Sequence, residues 1–550
     1  MANDYDLIVI GGGINGLTVA AYMAKAGAKV LVVERRWETG GAVMTDEESG
    51  CRLNTHATYM MMLDVAPAYT DLELSEFGCT YITPQPSVSI LLKDGRSLCL
   101  YNDVEKSVAS ISGFSQKDAS IFRKMYKEFS DMCNECLVPQ TYRPAVAPLD
   151  LINIMNNNPL GEKILGISEK SPREIIEECG FETEPLKALL LYLTSMWGID
   201  PDVSGVGYLV PLYVCRMLNA SLVRGGSHRL PSALAKSFVA NGGTIKETLE
   251  VNEVIVENGK AVGVKTTDGH EFRAKRVVST LDPEQTFLRF IGKEKLNKLV
   301  PGLVDAVEGW KWEDVSHYGL HLVTDVEPVF TAASSNSEAG MALMQVMGVE
   351  TLEDVVSQFK VVQGGGLPSC GHVTCVTKFD ASQRPTINPK FLDEWIAPPK
   401  YLHVVRMETL APYQLKNGNW EKVKEEFAVQ VRKLLNTYAP NMANAQSIRN
   451  YAVPPTYIEM KFPNMKRGSI KHGEYVSTQM GYFRPNDLCS NYKTPIEGYY
   501  VGGASVYPGG MVLLGSGYGA ANAIAVDLGI SPWWKTPKYI ENAIKGGLVV

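Results

Sequence analysis

Hydrophobic and polar positions change rhythm several times along this chain. Asp6 opens an apolar run to Ile10 that fits a buried parallel strand, and Lys29 to Val33 repeats the pattern before closing on Glu34. Residues 17–26, between the two, are small and apolar and read as a helix, so the stretch predicts one β-α-β unit. Residues 77–101 predict strands around a hairpin at Asp94-Gly95, a dipeptide that accepts positive φ. Residues 116–136 and 172–196 place apolar side chains at helical spacing, with acidic and basic residues on the outer faces. From Val223 the order becomes helix, strand, hairpins at Asn258-Gly259 and Asp268-Gly269, and a final strand at Arg276 to Thr280. Strands are expected at 316–324 and 402–409. Tyr499 to Val501 is a short buried strand ending on glycines, and a further glycine-rich turn then opens a helix of small residues.

The turn after the first strand is Gly11-x-Gly13-x-x-Gly16. In that context Gly11 permits the tight turn, Gly13 lets the backbone approach a diphosphate, and Gly16 lets helix and strand pack closely. The exposed amides at the helix start, with the helix dipole behind them, favour an anionic diphosphate. Glu34, eighteen residues after Gly16, stands where a carboxylate accepts from a ribose hydroxyl. The unit predicts dinucleotide binding.

Past Glu34 the chain reads Arg35-Arg36-Trp37-Glu38-Thr39-Gly40-Gly41-Ala42. This run resembles the extended fingerprint of amine-oxidase-like and phytoene-desaturase-like flavoproteins. The return from Val223 resembles the second part of their FAD domain. Tyr492-x-Thr494-Pro495 through Gly502-Gly503-Ala504 and Pro508-Gly509-Gly510-Met511 resemble its third part. Phe379-Asp380-x-x-x-Arg384-Pro385 and Ala411-Pro412-Tyr413 are similar to segments of bacterial phytoene-desaturase-like enzymes.

The resemblance implies an α/β fold of the mixed α+β kind: a Rossmann-like FAD-binding domain assembled from residues 1–76, 222–298 and 483–535. A mixed-sheet and helical substrate domain would be inserted as 77–221 and 299–482, with 536–550 as a tail. It implies FAD as cofactor, held by Gly11, Gly13, Ile14, Asn15, Gly16, Glu34, Arg35, Gly40, Gly41, Ala42, Val251, Gly503, Ala504, Gly510, Met511 and Val512. Of these, Val251 would meet the adenine through its backbone, and Gly510 to Val512 would face the flavin N1 and O2 side.

Composition narrows the function further. The chain has 550 residues, 45% hydrophobic and 21% charged, which suits a folded protein of two domains. Its net charge of −7, with both signs interspersed, leaves no footprint for nucleic acid. The nucleotide fold begins within six residues of the start and no apolar segment is long enough to span a bilayer, so a cytoplasmic protein is expected, with peripheral membrane contact and self-association open. Ten cysteines include one Cys133-x-x-Cys136 without a second such pair, which reads as reduced thiols rather than metal ligands.

The catalytic candidates are His56, His228, Arg229 and Tyr507, and the substrate-binding candidates are Tyr59, Arg216 and Tyr213. His56 either faces the flavin or bonds nearby backbone. Arg216, among apolar neighbours, pairs with a protein carboxylate or meets an anionic ligand group, since arginine is seldom buried alone. His228 and Arg229 stand where the resembled family has small or apolar residues, which suggests a polar substrate group, or for Arg229 a structural ion pair. No second GxGxxG is present, so electrons would leave to oxygen, a quinone or another external acceptor. The leading expectation is desaturation of a C–C bond in an apolar isoprenoid, carotenoid-like or alicyclic substrate. Flavin-dependent isomerisation or saturation of a polyene, amine oxidation, and a GDI-like lipid-binding protein that has lost its flavin remain alternatives.

Overall fold

The computed structural model describes residues 4–48, 51–384 and 402–550. The β-α-β unit forms as the pattern predicts: strand Tyr5–Ile10, helix Ile14–Lys25 and strand Val30–Val33, all eight strand residues from Leu7 to Ile10 and Val30 to Val33 being buried. Tyr5–Ile10 sits at the centre of a parallel sheet, flanked by Val30–Val33 on one side and the second half of Glu271–Ser279 on the other. Thr244–Lys246 and Tyr499–Val501 close its edges. The strand expected at 276–280 is longer, Glu271–Ser279, because its first half leaves the parallel sheet to pair antiparallel with Lys260–Thr266, itself paired with Val251–Glu257.

The helix Gly515–Leu528 lies against Ile14–Lys25. A Cβ on Gly517 would come within 2.5 Å of the Asn15 carbonyl, so glycine at this place sets how near the two helices approach.

A second, seven-stranded sheet stands opposite. Its order is Ser447–Val453, Val315–Thr324, His403–Pro412, Gly371–Cys375, Met344–Met347, Val88–Leu91 and Ser97–Leu100. The two strands expected at 316–324 and 402–409 pair antiparallel over their whole length, placing Gly319 opposite Glu408 and His321 opposite Arg406. The hairpin at Asp94-Gly95 forms its edge.

One expectation needs correction. Residues 172–196 are two helices, Pro172–Glu178 and Glu184–Ser195, because Gly180 turns to φ +74° and Pro185 restarts the chain in its first turn. The cysteines of Cys133-x-x-Cys136 lie in a π-helical turn, Cys133–Leu137, that continues the helix Gln116–Met132. Among the described residues, no group of side chains could hold a metal ion and no helix is long and apolar enough to cross a membrane. Pro385 of the expected Arg384-Pro385 motif lies outside the described residues.

Candidate functional site

Three cavities follow one another from the carboxyl ends of the parallel strands to the roof sheet and beyond. Gly13, Gly41, Thr280 and Asn464 line both the first and the second; Met61, Met62, Met511 and Val512 line both the second and the third. The three are therefore compartments of one elongated site.

The glycine cradle forms the floor of the first two. Gly13 caps the helix Ile14–Lys25 without a side chain, and the opening residues Ile14, Asn15 and Gly16 line the second cavity. A Cβ on Gly16 would lie 2.1 Å from the Gly11 carbonyl, whereas one on Gly13 would meet only the Gly41 Cα at 3.9 Å. Gly16 is thus needed for packing, and Gly13 keeps space open in front of the helix amides. The second glycine pair is stitched to the first, Gly40 donating its amide to the Gly12 carbonyl at 2.8 Å. Glu34 lines the first cavity with Gly11, Arg35 and Val251, and accepts the amides of Gly12 at 2.7 Å and Arg36 at 2.8 Å. Its carboxylate locks the glycine loop and keeps lone pairs for a ribose. An open cradle, free helix-start amides and a cavity-facing acid fit a dinucleotide such as FAD.

At the far end, Ala42, Ala504, Gly510, Met511 and Val512 line the second cavity. Gly503 does not; a Cβ there would lie 2.3 Å from the Thr280 carbonyl, so its part is close packing. The Met511 amide donates to Tyr475 Oη at 3.2 Å and that of Val512 to the Gly509 carbonyl at 3.2 Å, so these two amides are engaged within the protein rather than turned to a ligand.

The roof of the second cavity carries charge. Arg406 and Glu408 are two apart on His403–Pro412, so both face the same side of the sheet, and they form a buried ion pair. Glu408 also meets His317 Nδ1 at 2.7 Å, and His317 Nε2 lies 2.7 Å from the Met196 carbonyl. Arg406 donates to the carbonyls of Asn54 at 3.2 Å and His56 at 3.0 Å, and to the Thr58 hydroxyl. Burial alone would raise the Glu408 carboxyl, but Arg406 and His317 outweigh it and hold it well below the usual carboxylate range. His321 and His372 are kept neutral by burial, lowered to about 3 and about 4.

The structure brings some expected site residues together and separates others. His56 and Tyr59 line the second cavity. His56 packs edge-on to Phe462 with ring centroids 4.7 Å apart, its Nε2 has no partner, and burial, then Lys461 and Arg406, push it well below the ordinary histidine range. Tyr213, Arg216 and Tyr507 line the third cavity. Arg216 pairs with Asp64 and donates from Nε to the Met61 carbonyl at 2.9 Å, so of its two readings the protein carboxylate holds. The Tyr507 hydroxyl is committed to the Gln140 carbonyl at 2.8 Å.

His228 and Arg229 line none of these cavities. They begin the helix Arg229–Ala240, where the His228 amide reaches the Thr45 hydroxyl at 3.3 Å, so the polar substrate group inferred from them has no counterpart on the walls. The sequence reading missed Arg406, Glu408, His372, Asn464 and the methionine pair Met61-Met62. The signal available for the first two was a pair of ionised residues at spacing two inside residues 402–411, whose other members apart from His403 and Thr409 are apolar.

Comparison with known proteins gives a consistent result. Residues 14–326 match the family described as flavin containing amine oxidoreductase. The chain is 47% identical to a subunit of the limonene dehydrogenase of Castellaniella defragrans, over 99% of both chains. It is 29% identical to pyridine nucleotide-disulfide oxidoreductase domain-containing protein 2 of Rattus norvegicus, over 96% of this chain and 94% of that one. An oxidoreductase structure from Methanosarcina mazei shares the fold with a TM-score of 0.60 at 17% identity, over 95% of this chain and 100% of that one.

Proposed function

The chain belongs to the flavin-containing amine oxidoreductase family, and from that premise we propose that it is an FAD-dependent dehydrogenase that desaturates a carbon–carbon bond in an apolar isoprenoid. FAD is its cofactor. When bound, it supplies the two-electron acceptor that takes a hydride from carbon. The remaining work falls to the polypeptide.

The amides of Ile14, Asn15 and Gly16 and the helix dipole behind them hold the diphosphate, while Glu34 takes the ribose and Arg35 and Val251 border the adenosine end. Ala42, Ala504 and Gly510 to Val512 border the ring end. The third cavity receives the substrate through walls of methionine, leucine and tyrosine, among them Met61, Met155, Leu209, Leu212, Tyr208 and Tyr213, which exclude water and favour hydrocarbon by removing apolar surface from solvent.

The observation that carries this reading is the neutralised Arg216. Among the described residues it is the only ionised side chain lining the third cavity, and Asp64 balances it, so no free charge remains there to select an amine or a carboxylate. The name of the relative at 47% identity supports a cyclic isoprenoid hydrocarbon such as limonene, and its being one subunit of that enzyme supports a second polypeptide as partner.

The test is anaerobic mixing of the FAD-loaded protein with limonene while the visible flavin bands are followed. Bleaching by the isoprenoid and none by cyclohexylamine is expected. Bleaching by the amine alone overturns the reading in favour of amine oxidation.

A further inference from the structure

We propose that Tyr59, His372 and Tyr192 form a proton relay that carries the proton released by the substrate out of the second cavity, along the inner face of the roof sheet, to a separate surface cavity. The proposal rests on the dehydrogenase reading above. Tyr59 lines the second cavity beside Trp197, their ring centroids 6.1 Å apart. Its hydroxyl lies 3.2 Å from His372 Nε2, and His372 Nδ1 lies 3.0 Å from the Tyr192 hydroxyl. Tyr192 in turn lines a small separate cavity with Ser195, Gln358 and Cys370, next to Leu410 on the same face of the sheet. Gln358 and Cys370 are partly exposed, and the Ser195 hydroxyl has no protein partner, so this cavity offers water both a route to the surface and a polar anchor.

The tautomer of His372 sets the direction of the relay, and the outward direction needs the hydrogen on Nδ1. His372 is neutral, so one ring nitrogen carries a hydrogen and the other accepts. With Tyr59 donating to Nε2, Nδ1–H donates to Tyr192, whose own hydrogen then points into the outer cavity. Glu408 and Arg406 face His372 from the adjacent strand and His317 from the strand beyond it, and Cys370 lies beside Tyr192.

Dehydrogenation leaves a proton to place. One carbon gives up hydride to bound FAD, where the two electrons stay. The C–H pair of the neighbouring carbon becomes the second bond of the alkene. The released proton goes to Tyr59 Oη as the Tyr59 hydrogen passes to His372 Nε2, the Nδ1 hydrogen passes to Tyr192 Oη, and the Tyr192 hydrogen leaves to water. Of the histidines lining this cavity, His56 has no partner at Nε2, and His317 is held between Glu408 and the Met196 carbonyl.

The test uses the FAD-loaded protein in two measurements. In stopped-flow reduction by limonene, Tyr59→Phe is expected to slow bleaching by roughly 100-fold, the lower range for a lost proton-transfer group. Tyr192→Phe is expected to slow it less and to abolish the slowing of the wild type in D2O. Reduction by dithionite should be unchanged in both, which shows an intact flavin site. Separately, the nitrogen NMR spectrum of 15N-histidine protein should show His372 protonated at Nδ1 and bare at Nε2, with that preference lost in Tyr192→Phe. Wild-type rates in both variants, or a hydrogen held on Nε2, overturns the relay. If limonene bleaches not even the wild type, the dehydrogenase reading fails, while the tautomer still decides whether the outward hydrogen-bond chain exists.

Discussion

At the ends of the parallel strands, the polar groups offered to the cavity are main-chain amides at Ile14, Asn15 and Gly16. On the antiparallel sheet opposite, they are side chains: Arg406, Glu408 and His317, with His372 behind Tyr59. The amides are aimed by the helix and need only that no Cβ intervene. The roof groups lost their water on burial and depend on one another for it. The first region is therefore sensitive to volume and the second to charge.

The sharpest way to break this comparison is to neutralise one roof charge. Glu408→Gln leaves Arg406 without its carboxylate in a buried setting and is expected to cost about 3–5 kcal/mol, read from urea unfolding midpoints. A cost no greater than that of an exposed ion pair, below about 1 kcal/mol, would show that the roof does not depend on charge balance.

Acid should act on the same region. His321 and His372 are lowered by burial from 6.5 to about 3 and about 4, so from pH 6.5 down to about 4 the unfolded chain binds protons that the folded chain refuses. Stability is complete above 6.5 and falls as pH falls through that window, by up to about 1.4 kcal/mol per unit for each histidine. Melting temperature against pH checks this, and His321→Gln should flatten the curve.

Volume probes separate two roles within the glycine cradle. Gly16→Ala drives a Cβ into the Gly11 carbonyl and should cost about 1–3 kcal/mol together with loss of FAD. Gly13→Ala meets nothing nearer than 3.9 Å, so it should cost at most about 1 kcal/mol of stability while FAD affinity falls at least tenfold, about 1.4 kcal/mol. Thermal unfolding of the apo form and flavin titration give the two numbers. Smallest is Glu34→Gln: an amide oxygen still accepts one backbone donor, so a loss of about 0.5–1.5 kcal/mol is expected in the same titration.

The cradle was legible because its constraints are local. A tight turn, a helix start and a close approach each select glycine at a fixed offset, and the apolar runs on either side place those offsets between a strand and a helix. The break near Gly180 and Pro185 carried equally local signals, which the longer apolar rhythm of residues 172–196 masked. His228-Arg229 misled for the opposite reason. Two polar residues after a glycine pair look cavity-facing, yet the helix they begin turns them toward Thr45 and Gly225.

The sequence alone determined the β-α-β unit and the glycine cradle at its turn, since each rests on periodicity or on a missing Cβ within a few residues. Only the tertiary structure decided that Arg216 is neutralised by Asp64, 152 positions earlier, and that Tyr59 reaches His372 across 313 positions. It likewise decided that Glu408 meets His317 across a ladder rather than along a strand. Charge balance and proton connectivity depend on distances between residues remote in the chain, and those distances are set by how the sheets pack.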